Sequence, residues 1–441
     1  MQPTAQLLKK RRFLPLFLVQ FLNAFNDNLF KNALVVLMTY RIAATAGVDA
    51  KTMVTLASGL FILPFFIFSA TAGQLADKYE KARLIRIVKF MEIVVMGIAA
   101  GALFMENLTL LMGVLFLLGT VAAFFGPLKY SILPTHLKKD ELIGGNGLIE
   151  AGTFLAILLG TMTGGLLVMR DSGTEAVSAL ALLIAALGWA VSFAIPRAPS
   201  GDAAIHVEWN IARATINVLR DARAHREVFR IILGISWFWL VGAVFVAQFP
   251  TFAKENFHGN AEVVTLFLVV FSIGIVAGSL LCNRLLKGKP SAAYAPRGAL
   301  GMAVFAMVLV LASTAADTCG MGGAMMFIAQ PAPCDLMGAA EFLAHPLHWL
   351  ALGSLLMIAV CGGIYVVPLY TLMQVRTEPA HRARITAANN IFNALFMVIA
   401  ALGTLGMVTL GYGITQVFLA VGLLNLPVAL LIRKYSVSRE S

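Results

Sequence analysis

The sequence predicts an all-α integral membrane protein with twelve transmembrane helices in two pseudo-symmetric six-helix bundles. Three observations support this prediction: the hydropathy of the chain, the regular spacing of its apolar stretches, and an internal repeat. The chain has 441 residues, of which 59% are hydrophobic and 12% are charged, and its mean hydropathy is +0.85. A water-soluble domain of this length cannot bury so much apolar surface, so the bilayer must be its main solvent.

Stretches of about 20 apolar residues, the length of a membrane-spanning helix, define the spans. The predicted spans are 13–40, 52–76, 84–105, 108–135, 141–168, 175–196, 229–253, 260–286, 295–316, 346–373, 383–408 and 411–433. The chain then divides into an N-terminal six-helix bundle (1–196), a cytoplasmic linker (197–228) and a C-terminal six-helix bundle (229–441). Trp209 and the linker arginines have the spacing of a helix on the anionic inner leaflet, with a solvated tether as the alternative.

The net charge of +11 follows the topology of the chain and does not indicate a nucleic-acid partner. The opposite loops hold only Arg41, Lys51, Arg170 and Lys254. The basic residues counted as cytoplasmic after the second span are Lys78, Lys81, Arg83, Arg86 and Lys89. The positive-inside rule therefore predicts that both termini are cytoplasmic. We expect no cleavable signal peptide before the first span.

An internal repeat indicates two related bundles around one central site. Residues 146–151 match residues 389–394 at a constant offset of 243. The spans just before these segments, the fourth and the tenth, also resemble each other. Charge differs at two matched pairs, which are Glu150 with Asn393 and Lys129 with Tyr370. The repeat therefore predicts a site that is charged on its N-terminal side only.

The first span contains an unusual polar run, Gln20-Phe-Leu-Asn23-Ala-Phe-Asn26-Asp27-Asn28-Leu-Phe-Lys31-Asn32. Ionisable residues at this depth are costly and mark binding sites or transport pathways. Helical periodicity places one stripe of polar residues on a single face, namely Gln20, Asn23, Asp27 and Lys31. We expect Asn23, Asp27 and Lys31 to bind substrate. An ion pair between Asp27 and Lys31 that only joins helices is the alternative.

Two further ionisable residues lie in the fourth and fifth spans, at similar predicted depth. Lys129 follows the Gly126-Pro127 break, and its ammonium can bind a phosphate as a point charge. Glu150 can pair with this lysine or accept a substrate ammonium. A gate salt bridge between Lys129 and Glu150, without substrate contact, is the alternative. The repeat adds three polar residues to the predicted substrate-binding set, which are Asn146, Tyr370 and Asn393.

Motifs for catalysis and cofactor binding are missing from the sequence. There is no phosphate-binding loop for ATP, no nucleophile with a base at usable spacing, and no cluster of metal ligands at a recognised spacing. We therefore expect neither an enzyme nor a metal or cofactor site. Cys282 and Cys361 lie in apolar segments and are expected to be inert thiols. A disulfide between Cys319 and Cys334, in a loop outside the cytoplasm, is left open.

The segment between the second and third spans resembles the loop signature of the major facilitator superfamily. A glycine, Gly73, is followed four residues later by Asp77 and then by basic residues. In that family the aspartate latches the two halves through a helix end and a basic residue. The resemblance implies the major facilitator fold. It also implies a conformational latch that consists of Gly73, Asp77, Lys81 and Arg83.

Longer motifs resemble the bacterial lysophospholipid transporter family, a branch of the same superfamily, over nearly the whole chain. They are Gln20 to Asn28, Gly126-Pro127-Leu-Lys129-Tyr130, Asn146-Gly-Leu-Ile-Glu150-Ala and Gly363-Ile-Tyr-Val-Val-Pro368-Leu. The resemblance implies alternating-access import of lysophosphatidylethanolamine and lysophosphatidylglycerol, from the outer to the inner leaflet of the bacterial inner membrane, for re-acylation. A cytoplasmic acyltransferase or acyl-carrier-protein synthetase is then an expected partner, and we expect the transporter itself to be a monomer.

Two other functions remain open at the level of sequence. A proton-coupled exporter of amphiphilic drugs would use Asp27 or Glu150 as its titrating group. A membrane scaffold would present the linker to a soluble acyltransferase and would transport nothing. Transport by purified protein in vesicles, with and without an ion gradient, separates these functions from lysophospholipid import.

Overall fold

The computed structural model describes residues 4–39, 50–316 and 336–436, which form helices joined by short connections. The first seven helices are α1 (Leu14–Leu37), α2 (Ala50–Lys78), α3 (Lys81–Phe104), α4 (Leu108–His136), α5 (Leu142–Val168), α6 (Gly173–Ser192) and α7 (Ile211–Ala224). The remaining seven are α8 (Arg226–Phe257), α9 (Ala261–Leu286), α10 (Ala295–Ala316), α11 (Ala339–Ala344), α12 (Pro346–Arg376), α13 (Arg382–Thr409) and α14 (Ile414–Ser436).

The predicted membrane fold is confirmed by the length and composition of these helices. Among the described residues, eleven helices are long and apolar enough to cross a membrane. The polar run of α1 lowers its hydropathy, but its 24 residues extend over about 36 Å at ~1.5 Å per residue. Observed and predicted ends agree within a few residues. The largest extension, in α8, occurs because hydropathy detects only the apolar part of a helix whose ends carry Arg226 and Lys254.

Backbone packing divides the chain into two compact units. The first comprises Met1–Leu233, Lys287–Pro290 and Tyr370–Ala394, and the second comprises the rest. The first unit therefore contains α1 to α7, the start of α8 and the adjoining ends of α12 and α13. Within it, α1 packs on α5 and α6, α2 packs on α4, and α3 packs on α6. The division into N-terminal and C-terminal bundles at the linker stays a prediction from the repeat.

Glycines on α5 let this helix approach α1 very closely. A Cβ on Gly160 would lie 2.4 Å from the Phe25 carbonyl oxygen, and a Cβ on Gly164 would lie 2.2 Å from the Leu29 carbonyl oxygen. Any larger residue would therefore push the two backbones apart. The contact lets α1 and α5 pack backbone to backbone, as small residues four apart do in other membrane helices.

The segment before α1 is tied to the connection between α4 and α5. Lys10 Nζ and Arg12 Nη2 lie 2.8 Å and 2.6 Å from Glu141 Oε1, and Arg12 also donates to the His136 carbonyl oxygen. Partial burial raises the pKa of the Glu141 carboxyl, but the Lys10 hydrogen bond and the nearby positive charges outweigh it and lower this pKa below its ordinary value. These contacts fix the residues that precede α1 next to the connection between α4 and α5.

The helix predicted in the linker is present as α7. Asn210 caps it by accepting a hydrogen bond from the Arg213 backbone N–H at 3.0 Å. Ala214 and Val218 are buried on the face that packs on α2, whereas Trp209 is exposed. Contact of α7 with an anionic membrane surface stays a prediction.

The second unit has an aromatic core. Phenylalanines of α8, α9 and α14 pack together, with the ring centroids of Phe245 and Phe418 4.3 Å apart. A Cβ on Gly278 of α9 would lie 2.1 Å from the Val360 carbonyl oxygen of α12, so these helices also touch through backbone. The free thiols found among the described residues, Cys282 and Cys361, are buried. Cys319 and Cys334 lie outside the described residues.

Replacing Gly164 by alanine should destabilise the protein, because the new methyl group collides with the Leu29 backbone. We expect a loss of about 1–3 kcal/mol, as for other overpacked sites. Gly101→Ala in α3 is the matched control, since nothing lies within 4 Å of a Cβ at Gly101. Thermal melting of both purified variants in detergent measures the difference. Equal melting temperatures would contradict the close contact between α1 and α5.

Candidate functional site

The polar stripe of α1 faces protein and not lipid. Of its residues, Gln20, Asn23 and Asp27 are buried and Lys31 is half-buried, and the neighbouring Asn26 is buried as well. Gln20 Nε2 donates to the Ile149 carbonyl oxygen on α5 at 3.0 Å. Because side chains three and four residues apart share one helix face, the contact of Gln20 with α5 places the rest of the stripe inside the first unit.

The two oxygens of the Asp27 carboxylate differ in their hydrogen bonding. Its Oδ2 accepts a hydrogen bond from Asn23 Nδ2 at 2.7 Å, whereas Oδ1 has no partner among the described residues. The Lys31 ammonium lies over the Phe61 ring, 5.6 Å from its centroid. No ion pair between Asp27 and Lys31 is found in the described part of the chain, so the helix-joining pair considered from the sequence is not the observed arrangement.

A second ionisable pair lies beside this stripe, on α3. Lys89 and Glu92 form an ion pair, and the side chain of each is only 1% exposed. Lys89 Nζ also donates to Asn23 Oδ1, and Asn26 Nδ2 donates to Glu92 Oε1 at 3.1 Å. From the sequence, Lys89 belongs to the basic residues counted as cytoplasmic after the second span, and Glu92 has no predicted role. Their spacing of three within an apolar helix is the signal that could have identified them.

Lys129 and Glu150 belong to the same cluster without forming an ion pair in the described structure. Lys129 is half-buried, and its Nζ lies 3.3 Å from Gln20 Oε1 and 4.7 Å from the Tyr130 ring centroid. Glu150 is fully buried, and its Oε1 accepts a hydrogen bond from the Tyr130 hydroxyl at 2.5 Å. Glu150 Oε2 has no partner among the described residues. The gate salt bridge considered from the sequence is therefore replaced by contacts to Gln20 and Tyr130.

Three predicted residues lie where the end of α12 and the start of α13 pack in the first unit. The Asn146 amide exchanges hydrogen bonds with Gln374, at 2.8 Å and 3.0 Å, and also donates to Thr371. The Tyr370 ring stacks on the Tyr130 ring, with centroids 4.5 Å apart. Asn393 is half-buried on α13. Sequence patterns did not single out Gln374, because its partner Asn146 is 228 residues away.

Asp77 caps the amino-terminal end of α13. Its two carboxylate oxygens accept hydrogen bonds from the backbone N–H groups of Ala383 and Arg384, at 3.0 Å and 3.1 Å. Arg384 Nε donates to the same carboxylate at 3.2 Å. A Cβ on Gly73 would lie 2.6 Å from the Ala387 Cβ, so only glycine permits this approach. Asp77 thus meets both a helix end, where the dipole favours an anion, and a basic side chain.

The other two residues of the predicted latch form hydrogen bonds with other groups. Lys81 is buried and its Nζ donates to the Pro199 carbonyl oxygen at 3.3 Å. Arg83 is exposed, and its backbone N–H donates to Glu80 at the start of α3. Lys81 therefore contacts the linker, and the Arg83 side chain is exposed.

The described residues offer this cluster two kinds of chemistry. Asp27 Oδ1 and Glu150 Oε2 are buried acceptors without donors, and Lys31 and Lys129 are cations that are only partly buried. In the described part of the chain, no three His, Cys, Asp or Glu residues are grouped so that they could hold a metal ion. The arrangement is suited to binding a polar ligand that carries both a donor and an anion.

The fold and the buried polar cluster define a multi-pass membrane protein of the transporter class. The family model described as Major Facilitator Superfamily matches residues 16–401, so the chain belongs to that superfamily. Its fold is that of a transporter and not of an enzyme.

Relatives and solved structures agree with this assignment. The lysophospholipid transporter LplT of Serratia proteamaculans is 27% identical over 387 residues, covering 85% of this chain and 82% of that protein. The protein of the same name from Escherichia coli is 28% identical over 362 residues, covering 81% of this chain and 78% of that protein. The human organic anion transporter MFSD10 superposes with a TM-score of 0.75 at 13% identity, covering 96% of this chain and 99% of that chain. The Escherichia coli fucose:proton symporter FucP superposes with a TM-score of 0.68 at 14% identity, covering 96% of this chain and 98% of that chain. At these identities the structures show the fold alone.

Asp77→Asn should loosen the contact between α2 and α13. An amide offers one acceptor oxygen and no charge, so at least one buried N–H of Ala383 or Arg384 loses its partner, at a cost of about 1–3 kcal/mol. A cysteine placed at Ala387, which is fully buried, should then be alkylated several-fold faster in a background without other cysteines. Asp171→Asn, at an exposed position, is the control. An unchanged rate in Asp77→Asn would contradict this role for the cap.

Proposed function

We propose that the protein moves lysophospholipids, with lysophosphatidylethanolamine and lysophosphatidylglycerol as substrates, from the outer to the inner leaflet of a bacterial inner membrane. The similarity to proteins named lysophospholipid transporters supports the substrate class, and the superfamily supports alternating access. The delivered lipid serves re-acylation by a cytoplasmic acyltransferase or acyl-carrier-protein synthetase. The protein acts as a monomer with both termini in the cytoplasm.

The observation that carries this proposal is the open oxygen of Asp27. A buried acceptor without a donor is costly, and the head group of a lysophospholipid can supply the donor. Ethanolamine offers an ammonium, and glycerol offers hydroxyl groups. Both head groups can therefore bind at Asp27 Oδ1, and the ammonium binds more strongly because it forms an ion pair as well as a hydrogen bond.

Lys129 is the proposed partner of the substrate phosphate. Its contact with Gln20 Oε1, at 3.3 Å, is longer than an ordinary N–H···O hydrogen bond, so an anionic oxygen can replace Gln20. Lys31 is the second candidate, because its ammonium lies over Phe61 and forms no hydrogen bond within the described residues. Together with Asp27 these lysines match the opposite charges of a zwitterionic head group.

The Asp77 cap and the amide pair of Asn146 and Gln374 act as the latch in this proposal. Asp77 holds the start of α13, and Asn146 holds the end of α12 through Gln374. Each contact consists of a few hydrogen bonds, which can break and re-form without disturbing an apolar core. Release of the lipid to the inner leaflet requires both contacts to open.

In lipid vesicles, the purified protein should take up labelled lysophosphatidylethanolamine and leave its diacyl parent behind. Asp27→Asn and Lys129→Ala should each lower this uptake at least about tenfold, because each removes a charge-assisted hydrogen bond contributing about 1.5–3 kcal/mol. Initial uptake rates, measured on variants with normal melting temperatures, test the expectation.

Asp171→Asn and Lys139→Ala make the same changes at exposed positions and should retain uptake. Normal uptake by both site variants would overturn the assignment of the site. Transport that needs a proton gradient and ignores lysolipids would instead favour a proton-coupled exporter of amphiphilic drugs. Failure of the wild-type protein to deliver any lysolipid would favour a scaffold.

A further inference from the structure

The Lys89 ammonium is fully occupied by protein groups. An ammonium has three N–H donors, and Lys89 Nζ has three partners. They are the Glu92 carboxylate, the side-chain oxygen Oδ1 of Asn23 and the face of the Phe125 ring, whose centroid lies 4.6 Å away. Lys89 is also completely buried. It therefore differs from Lys129, which is half-buried and has one long hydrogen bond.

Glu92 is occupied as well, and it ties the pair to two further helices. One of its oxygens accepts from Lys89, and the other accepts from Asn26 Nδ2 at 3.1 Å. Asn26 Nδ2 also lies 3.2 Å from the Ala181 carbonyl oxygen on α6. Since Asn23 and Asn26 are three residues apart on α1, the pair holds this helix at two points on one face. The rotation of α1, and with it the direction of Asp27, is thereby restricted.

Asn23 transmits this arrangement to Asp27. The side-chain oxygen of Asn23 accepts a hydrogen bond from Lys89. The NH2 group of the same amide must therefore point the other way, and it donates to Asp27 Oδ2 at 2.7 Å. A cation on the carbonyl oxygen polarises the amide and strengthens its N–H as a donor. Asp27 is thus held by one oxygen, and its Oδ1 remains open.

We infer that Lys89 and Glu92 are positioning residues that act through Asn23 to orient the Asp27 carboxylate, and that they set the preference for ammonium-bearing head groups. Neither residue touches the substrate. This inference rests on the proposed function, in which Asp27 Oδ1 receives the ethanolamine ammonium. A glycerol head group depends less on the charge of Asp27, because its neutral hydroxyl groups can donate hydrogen bonds to the carboxylate but cannot form an ion pair with it.

A purely structural ion pair would behave differently. Buried ion pairs can often be replaced by apolar residues of similar volume without loss of stability. Replacing both residues, as Lys89→Met with Glu92→Met, removes both charges together and leaves no buried charge without its partner. If the pair only joins helices, the double variant should transport both head groups normally or lose both equally.

The test compares Vmax/KM for lysophosphatidylethanolamine and lysophosphatidylglycerol in vesicles. In the Lys89→Met, Glu92→Met variant, the ratio of the ethanolamine to the glycerol substrate should fall about tenfold, mainly through KM, as expected for a weakened charge-assisted hydrogen bond. Asn23→Ala keeps the ion pair but removes its link to Asp27, and it should lower the ratio equally. Combining the three substitutions should cause little further change, because they act through one connection.

A matched control is available outside the membrane. Lys10→Met with Glu141→Met removes another lysine–glutamate pair, whose atoms are 2.8 Å apart, and it should leave the ratio unchanged. If the ratio of Vmax/KM for the two substrates is unchanged in Asn23→Ala, the inference is wrong. This result is decisive even if the double variant fails to fold. An equal loss of both substrates in the folded double variant also overturns the inference. A wild-type protein that moves neither lipid overturns the proposed function, and the inference falls with it.

Discussion

A charge inside the hydrocarbon core must find its partner within the protein, and this constraint organises the first unit. Lys89 and Glu92 meet it by pairing with each other and with Asn23 and Asn26 of α1. Asp27 meets it only in part, because one of its oxygens has no partner within the described ranges. Helices α1, α3 and α6 are therefore joined by polar contacts as well as by packing, and removing a single partner would leave a buried charge uncompensated.

The same constraint separates two roles among the charged side chains. Lys89 is buried and saturated with partners, so it can orient neighbours but cannot bind a ligand. Lys129 and Lys31 are only half-buried and have weak contacts, so they can exchange those contacts for an anion. Asp27 connects the two groups, since Asn23 donates to one of its oxygens and no donor among the described residues contacts the other. A head group with opposite charges matches this combination of a held carboxylate and available cations.

In the proposed transport cycle, conformational change involves a different kind of contact, which Asp77 and Asn146 form. Asp77 satisfies backbone N–H groups that no intrahelical carbonyl can satisfy at the start of α13, and Gly73 gives the backbone room to approach. Asn146 and Gln374 add a reciprocal amide pair. These contacts are specific in geometry but few in number. They can therefore hold one conformation of a transporter without preventing its return from the other.

The sequence by itself determined the spans, because a bilayer demands about 20 apolar residues for each helix whatever the neighbouring helices are. It also revealed Asp27, whose polar run interrupts an apolar span. It did not reveal Lys89 and Glu92, because hydropathy averages over a span and Lys89 lies close to a basic loop. Only the tertiary structure decided which lysine is saturated and which oxygen of Asp27 stays open. Those outcomes depend on contacts such as that of Asn23 with Lys89, 66 residues apart, for which no local pattern exists.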